Sequence, residues 1–243
     1  MAKITTTFAF TNKGNIRMIA HRGLSGLERE NTAAAFVAAG QRSYYGVESD
    51  VRATADGKLV MFHDDNLKRL AGVGKRVEDL TFSELRQLRF LDVDEKTPRG
   101  DLLIPTLEEY LWICDKYDKE AVLEIKDMSL ESVDRVYETV KASGWLKHTT
   151  FISFFREKLL RLREIAPNVK AQFLSGEASE KTVRFMIDNR LDADLSAGVV
   201  TEKLVERLHK TGLKVNCWTV DDLALAEKMR RAGVDYITSD ILE

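Results

Sequence analysis

Apolar positions along this chain fall into two alternating patterns. Short, nearly continuous apolar runs recur near residues 16, 46, 121, 149, 169, 193, 214 and 234. Between the later runs, apolar residues return every three or four positions, as in Leu130, Val133, Val136, Tyr137 and Val140. A short apolar run predicts a buried strand, and the 3.6-residue period predicts a helix packed on one face. The same reading predicts helices near 156–165, 179–190, 201–211 and 221–232. Pro167 ends the first, and Gly212 and Gly233 sit where helix C-caps would lie. Strands alternating with helices in one unbroken series predict a parallel sheet. Eight forward runs predict an α/β chain closed into a (β/α)8 TIM barrel. An open doubly wound sheet is the alternative, but no glycine-rich turn of the dinucleotide-binding type is present.

The first half is less regular. Residues 1–15 read as a lead-in or a cover for one barrel end. A strand over 16–21 ends at Gly23, and Glu30-Asn31-Thr32 precedes a helix over 33–39 that stops near Gly40. The strand at 46–52 is followed by Asp56-Gly57 and a return run at 59–63, a hairpin signal. With Ala55 paired to Lys58, Asp50 lies opposite His63, and Glu48, Asp50 and His63 share a face. The link is too short for a crossover helix. Either 59–63 is a reversed hairpin partner, or one of the weaker strands, 193–197 first among them, is not a stave. From Asp64 to Lys119 there is no good parallel strand. Two helix starts appear there, Thr81-Phe82-Ser83-Glu84 and Thr106-Leu107-Glu108-Glu109, both capping boxes. A polar loop, 92–101, separates them.

Composition narrows the class. The chain has 243 residues, a net charge of -2 and 44% hydrophobic residues, enough for one barrel domain over 1–243. No basic excess or stripe suggests a nucleic-acid partner. No stretch reaches the roughly 18 apolar residues of a membrane span, and the N-terminus does not read as a secretory signal. Cys114 and Cys217 lack metal-ligand spacing and read as buried thiols in a reducing compartment. These features predict a soluble cytoplasmic protein. The sequence leaves its oligomeric state open.

The chemistry gathers at strand ends, where a barrel of this kind carries its active site. His21-Arg22 ends the first strand, Glu48 and Asp50 lie on the second, Glu124 and Lys126 share a face of the run 121–126, and Trp218 sits late in 214–220. Each alone has a bland reading: a hydrogen-bonded histidine, a solvated edge, a surface ion pair, a core tryptophan. Phe154 and Phe155 read as packing. Their convergence on one end is what points to a site. Three carboxylates facing one cavity repel, and each buried ion costs several kcal/mol. A hard divalent cation with oxygen ligands, Mg²⁺ or Ca²⁺, removes that cost. Arg22 and Lys126 supply positive charge for a phosphate, Arg22 in bidentate fashion. Two histidines, His21 and His63, can serve as acid and base near neutral pH. The set suits cleavage of a phosphate ester.

Taken in order, these elements resemble the glycerophosphodiester phosphodiesterases, a family of phospholipase C-like phosphodiesterase barrels. The resemblance rests on His21-Arg22-Gly23, Glu30-Asn31-Thr32, Glu48-x-Asp50, Thr54-x-Asp56-Gly57, and His63-Asp64 with Leu67 and Arg69. It continues in Ile104-Pro105-Thr106-Leu107-Glu108-Glu109, Glu124-Ile125-Lys126, Trp218-Thr219-Val220 and Gly233-Val234-Asp235. It implies hydrolysis of small glycerophosphodiesters to glycerol 3-phosphate and an alcohol, with one Mg²⁺ or Ca²⁺. It implies His21 and His63 as the acid–base pair, Glu48, Asp50 and Glu124 as metal ligands, Arg22 and Lys126 as phosphate ligands, and Trp218 in the glycerol pocket. It also implies that 64–120 is the family's insertion and that the reaction passes through a cyclic phosphate. Two places depart from the pattern: Asp221 stands where Asn is usual, and Thr238-Ser239-Asp240-Ile241 lacks the usual proline. Both are expected to lie outside the catalytic set.

Two rival readings are separable. A lysophospholipase D-type enzyme needs an apolar entrance, which Phe90, Leu91, Leu102 and Leu103 could form. A non-catalytic phosphate-binding barrel needs no acid–base pair. The head-group alcohol and the choice of ion are not legible in the sequence.

Overall fold

The computed structural model describes residues 6–243. Eight parallel strands form a closed ring: β1 (Arg17–Ala20), β2 (Gly46–Ala53), β4 (Glu120–Ile125), β5 (Thr149–Ser153), β6 (Lys170–Ser175), β7 (Asp192–Ser196), β8 (Val215–Trp218) and β9 (Tyr236–Ser239). β1 closes the ring by pairing with both β9 and β2. Helices α1 (Ala33–Gly40), α4 (Leu107–Lys116), α5 (Leu130–Ala142), α6 (Arg156–Ile165), α7 (Glu180–Asp188), α8 (Glu202–His209) and α9 (Leu223–Ala232) follow seven of the staves. The run at 193–197 is therefore a true stave, one residue earlier than its apolar pattern indicates.

The return run forms β3 (Leu59–Met61), antiparallel to the far half of β2. Its register is one residue off the expectation. Val51 pairs with Met61 and Arg52 with Val60, so the Asp50 carbonyl faces Phe62, whose N–H donates to it at 2.8 Å. The cause is the turn. Thr54 N–H donates to the Lys58 carbonyl, leaving three residues in the loop, and Gly57 takes φ +79°. That matches a three-residue hairpin with a left-handed glycine rather than a two-residue turn. β2 thus divides one edge between two partners. Its first residues pair with β1 through only Ile19–Gly46 and Ala20–Val47, and its last pair with β3. Asn31 bridges the split, accepting from Ser49 Oγ at 2.6 Å.

Alternation sets the layers, because successive strand residues face opposite sides of the sheet. On β4, Ala121, Leu123 and Ile125 join the cluster under the helices, while Val122 joins Ile19, Ile152, Leu174 and Tyr236 in an inner cluster. Glu124 follows Val122 on that inner face, one step nearer the C-terminal end. At the opposite end Glu120 is buried against Lys170 Nζ, 2.7 Å away.

Between β3 and α4 lie two short helices, α2 (Lys68–Ala71) and α3 (Phe82–Leu85). Thr81 and Thr106 both close their expected capping boxes. This segment has its own core of Val60, Phe62, Leu67, Leu70, Val77, Leu80, Leu85, Phe90, Leu102 and Ile104. Phe90 and Leu102 are fully buried there, so they do not form an apolar entrance. Residues 8–10 pair with 241–243. The Glu243 carboxylate accepts from Ser43 N–H, just before β2, which sets this lead-in at the N-terminal end of the barrel. Residues 1–5 of the expected cover lie outside the described residues. Among the described residues no helix is long and apolar enough to cross a membrane.

Candidate active site

The turn after β1 carries His21, Arg22 and Gly23. A Cβ on Gly23 would stand 2.7 Å from the Ala35 backbone, and its φ is +77°. Only glycine lets the turn lie this close to α1. Arg22 also has a positive φ, 53°, and its N–H donates to Glu48 Oε2 at 2.8 Å. His21 is held from behind: its Nδ1 lies 2.7 Å from Asp240 Oδ1, and its Nε2 is 3.9 Å from Glu48. Ser25 Oγ donates to the same Asp240 oxygen at 2.8 Å. Asp221 in turn accepts from Asp240 N–H and Ser239 Oγ. The two departures near the end of the sequence lie outside the candidate set but next to it, Asp240 against His21 and Asp221 against Asp240. Closure of the ring between β1 and β9 brings them there, across 219 residues.

Glu48, Asp50 and Glu124 face one another. Each offers an oxygen within 4.8 Å of the others, and all three are buried. Burial pushes Glu48 well above the ordinary carboxyl range, and the Asp50 and Glu124 charges push it further. Burial and Asp50 push Glu124 up to about 8. Burial opposes ionisation of Asp50 as well, but Lys126, Arg22 and His63 outweigh it and hold its carboxyl far below the usual range. Asn31 Nδ2 donates to Asp50 Oδ2 at 2.7 Å. Oδ1 is buried without a directed hydrogen bond, although Lys126 Nζ stands 2.9 Å away and also 2.8 Å from Glu124. Three buried carboxylates within reach of one another, two of them disfavoured as free anions, fit a hard divalent cation. Lys126 is thus engaged with the carboxylates.

His63 follows β3. Its Nδ1 is 2.9 Å from Asp64, which Arg69 grips through Nε at 2.8 Å. Arg69 also binds both oxygens of Glu30, and Glu30 accepts from Arg22 at 2.8 Å. Glu30, His63 and Asp64 could be mistaken for a second metal cluster, but two guanidinium groups already neutralise its carboxylates. The Arg22 Nε is buried without a hydrogen-bond partner.

His21, Arg22, Glu48, His63, Glu124 and Trp218 line one cavity of about 150 Å³. It adjoins an open groove of about 870 Å³ bounded by Arg52, Lys68, Lys126, Asp127 and Phe155. His63, Glu124 and Phe154 border both spaces. Every sequence-derived candidate therefore reaches one site, with Asp50 behind the cavity wall and Lys126 on the groove. Phe154 is not packing: it is 43% exposed at the mouth, edge-on to Trp218. Asp194 also lines the cavity, and sequence reading missed it. The signal was there, since Asp192, Asp194 and Ser196 alternate with the outward Ala193 and Leu195 on one strand.

Comparison with known proteins gives a consistent picture. Residues 21–243 match the Glycerophosphoryl diester phosphodiesterase family. A glycerophosphodiester phosphodiesterase of Caldanaerobacter subterraneus subsp. tengcongensis is 30% identical over 92% of this chain and 93% of its own. The structure of an Oleispira antarctica phosphodiesterase in complex with the product sn-glycerol-3-phosphate superposes with a TM-score of 0.82. It is 26% identical and covers 92% of each chain. A glycerophosphodiester phosphodiesterase from Thermotoga maritima gives a TM-score of 0.76 at 31% identity, over 93% of this chain and 94% of its own.

Proposed function

Because the chain belongs to the glycerophosphoryl diester phosphodiesterase family, we propose that it hydrolyses small glycerophosphodiesters to glycerol 3-phosphate and an alcohol, with His21 and His63 as acid and base. The observation that carries this reading is that both histidines line one cavity together with Arg22, Glu48 and Glu124, with Asp50 grouped against the two glutamates behind its wall. Glu48, Asp50 and Glu124 would hold one Mg²⁺ or Ca²⁺, which neutralises phosphate charge when bound. Arg22 lines the cavity where the phosphate would lie, and Lys126 adds charge at the groove side.

The two spaces suggest how a substrate lies. The cavity takes the small glycerol end, and the open groove takes the departing alcohol. His21 lines only the cavity, so it serves as base toward the glycerol 2-hydroxyl, which attacks phosphorus. His63 borders the groove and gives its proton to the leaving oxygen. A cyclic phosphate results. Water then opens it with the roles reversed, His63 taking the water's proton and His21 returning one to the glycerol oxygen. Asp240 and Asp64 act through the rings, each fixing one nitrogen so that the other faces the substrate. Soluble diesters are favoured over lysophospholipids because Phe90 and Leu102 are core residues of the α2–α3 segment.

The test is release of glycerol 3-phosphate from glycerophosphocholine and glycerophosphoethanolamine, with Mg²⁺, with Ca²⁺ and with EDTA. Release with a metal, its loss in EDTA and a drop of about 10²–10⁴-fold in His21→Ala are expected. No release from either diester with either ion would reject the assignment.

A further inference from the structure

The proposed chemistry draws on residues of β1 to β4 and gives β7 no task. Counted around the ring, β7 stands four staves from β2 in both directions. Asp194 stands in the middle of β7 and lines the cavity that Glu48 and Glu124 also line. Its side chain is buried, and among the described residues no cation lies against it. Its one side-chain hydrogen bond comes from Asn216 Nδ2 to Oδ1 at 2.9 Å, and Oδ2 accepts none among the described residues. Asn216 Nδ2 also reaches Thr238 Oγ1 at 2.9 Å, and Thr238 lines the same cavity. Trp218 is anchored alongside by an N–H bond to the Asp194 carbonyl at 3.2 Å.

A buried carboxyl without a cation is costly unless something with hydrogen-bonding groups meets it. In a cavity of about 150 Å³, that partner is small. Pockets that enclose drug-sized ligands run to roughly 300–1,000 Å³, so the cavity itself has room for a polyol end and not for an acyl chain held within it. With burial pushing its pKa up to about 7, the group can donate or accept toward a hydroxyl.

We propose that Asp194 is the specificity residue for the non-reacting end of the substrate: it binds a free terminal hydroxyl, so the enzyme takes phosphodiesters of an unsubstituted polyol and rejects those in which that hydroxyl is acylated or missing. This rests on the phosphodiesterase reading above and sharpens it. The 2-hydroxyl is spent in attack on phosphorus. The terminal hydroxyl is the group left to report that the glycerol is fully deacylated.

The experiment compares three substrates on the metal-loaded full chain: glycerophosphocholine, its 2-hydroxypropyl analogue in which the terminal CH₂OH is CH₃, and 1-acyl lysophosphatidylcholine. A site built to hydrogen-bond a hydroxyl rejects the analogue lacking it strongly, so wild-type kcat/KM falls on the order of 10²-fold or more on the second and third. Asp194→Ala lowers glycerophosphocholine turnover to the level of the analogue and leaves the analogue unchanged, and Asp194→Asn lies between. Equal wild-type turnover of the first two substrates, or ready turnover of the lysolipid, would overturn the proposal without any variant having to fold. A folded Asp194→Ala protein that slows both diesters equally would make the residue structural and also overturn it. No wild-type turnover of any of the three is a different result, and it would reject the phosphodiesterase reading as well.

Discussion

His21 owes its orientation to Asp240, whose carboxylate is itself steadied by Ser25. Removing that carboxylate leaves the imidazole in place but frees its tautomer. Asp240→Asn should lower kcat by about 10- to 100-fold with little change in KM, less than the roughly 10²–10⁴-fold of His21→Ala. Steady-state kinetics on both variants checks the order. Asp194 makes a separate prediction in stability. Its pKa rises from 3.8 unfolded to about 7 folded, because burial disfavours the anion. Between those values the unfolded chain has lost a proton that the folded one keeps. The stability it contributes is therefore complete below about pH 4 and declines as pH rises toward 7, by about 1.4 kcal/mol per unit. Asp194→Asn should unfold at higher temperature than wild type at pH 8 and lose that advantage toward pH 4, as thermal melts across pH would report. At this scale the sequence pointed to the candidates whose chain neighbours reach the same site, such as His21-Arg22, Glu48-x-Asp50 and Glu124-x-Lys126. Asp240 and Asp194 were not singled out, because their partners lie on other strands.

The elements were more legible than their pairing. Helix α6 begins and ends where its period and Pro167 indicate, and Thr81 and Thr106 cap as their boxes require. The hairpin register was not legible to the residue. Asp56-Gly57 signals a turn, but only the Thr54–Lys58 hydrogen bond shows that three residues form it. A one-residue slip moves a side chain to the other face, and Phe62 accordingly enters the second core while His63 leaves the strand to reach the site. The β1–α1 turn is the element most exposed to substitution. Gly23→Ala adds a methyl 2.7 Å from the Ala35 backbone and imposes a left-handed φ. The backbone strain alone is worth about 1–2 kcal/mol, and the contact adds to it. Chemical denaturation should show a loss above about 2 kcal/mol, with activity falling as His21 and Arg22 are displaced.

For the whole molecule, the candidate metal site links folding to cation. The three carboxylates come from two adjacent staves, and their mutual repulsion opposes closing the barrel around them. A cation that binds the folded chain should stabilise it. At a hundredfold excess over Kd the gain is about 2.7 kcal/mol, roughly 5–10 °C for a chain of this length. Melts of EDTA-stripped protein with added Mg²⁺ or Ca²⁺ should show the rise, and Asp50→Asn should abolish it. No shift with either ion would remove the metal from the site. The ring closes on its first and last staves, which bears on how the enzyme is made. A ribosome delivers Glu48, Asp50 and Glu124 half a chain before Asp240, and until β9 arrives β1 has one neighbour and His21 has nothing behind it. The support behind His21, one half of the proposed acid–base pair, is therefore the last part of the site to be assembled. On the proposed mechanism, a chain released before residue 240 should emerge unclosed and inert rather than as an indiscriminate phosphodiesterase.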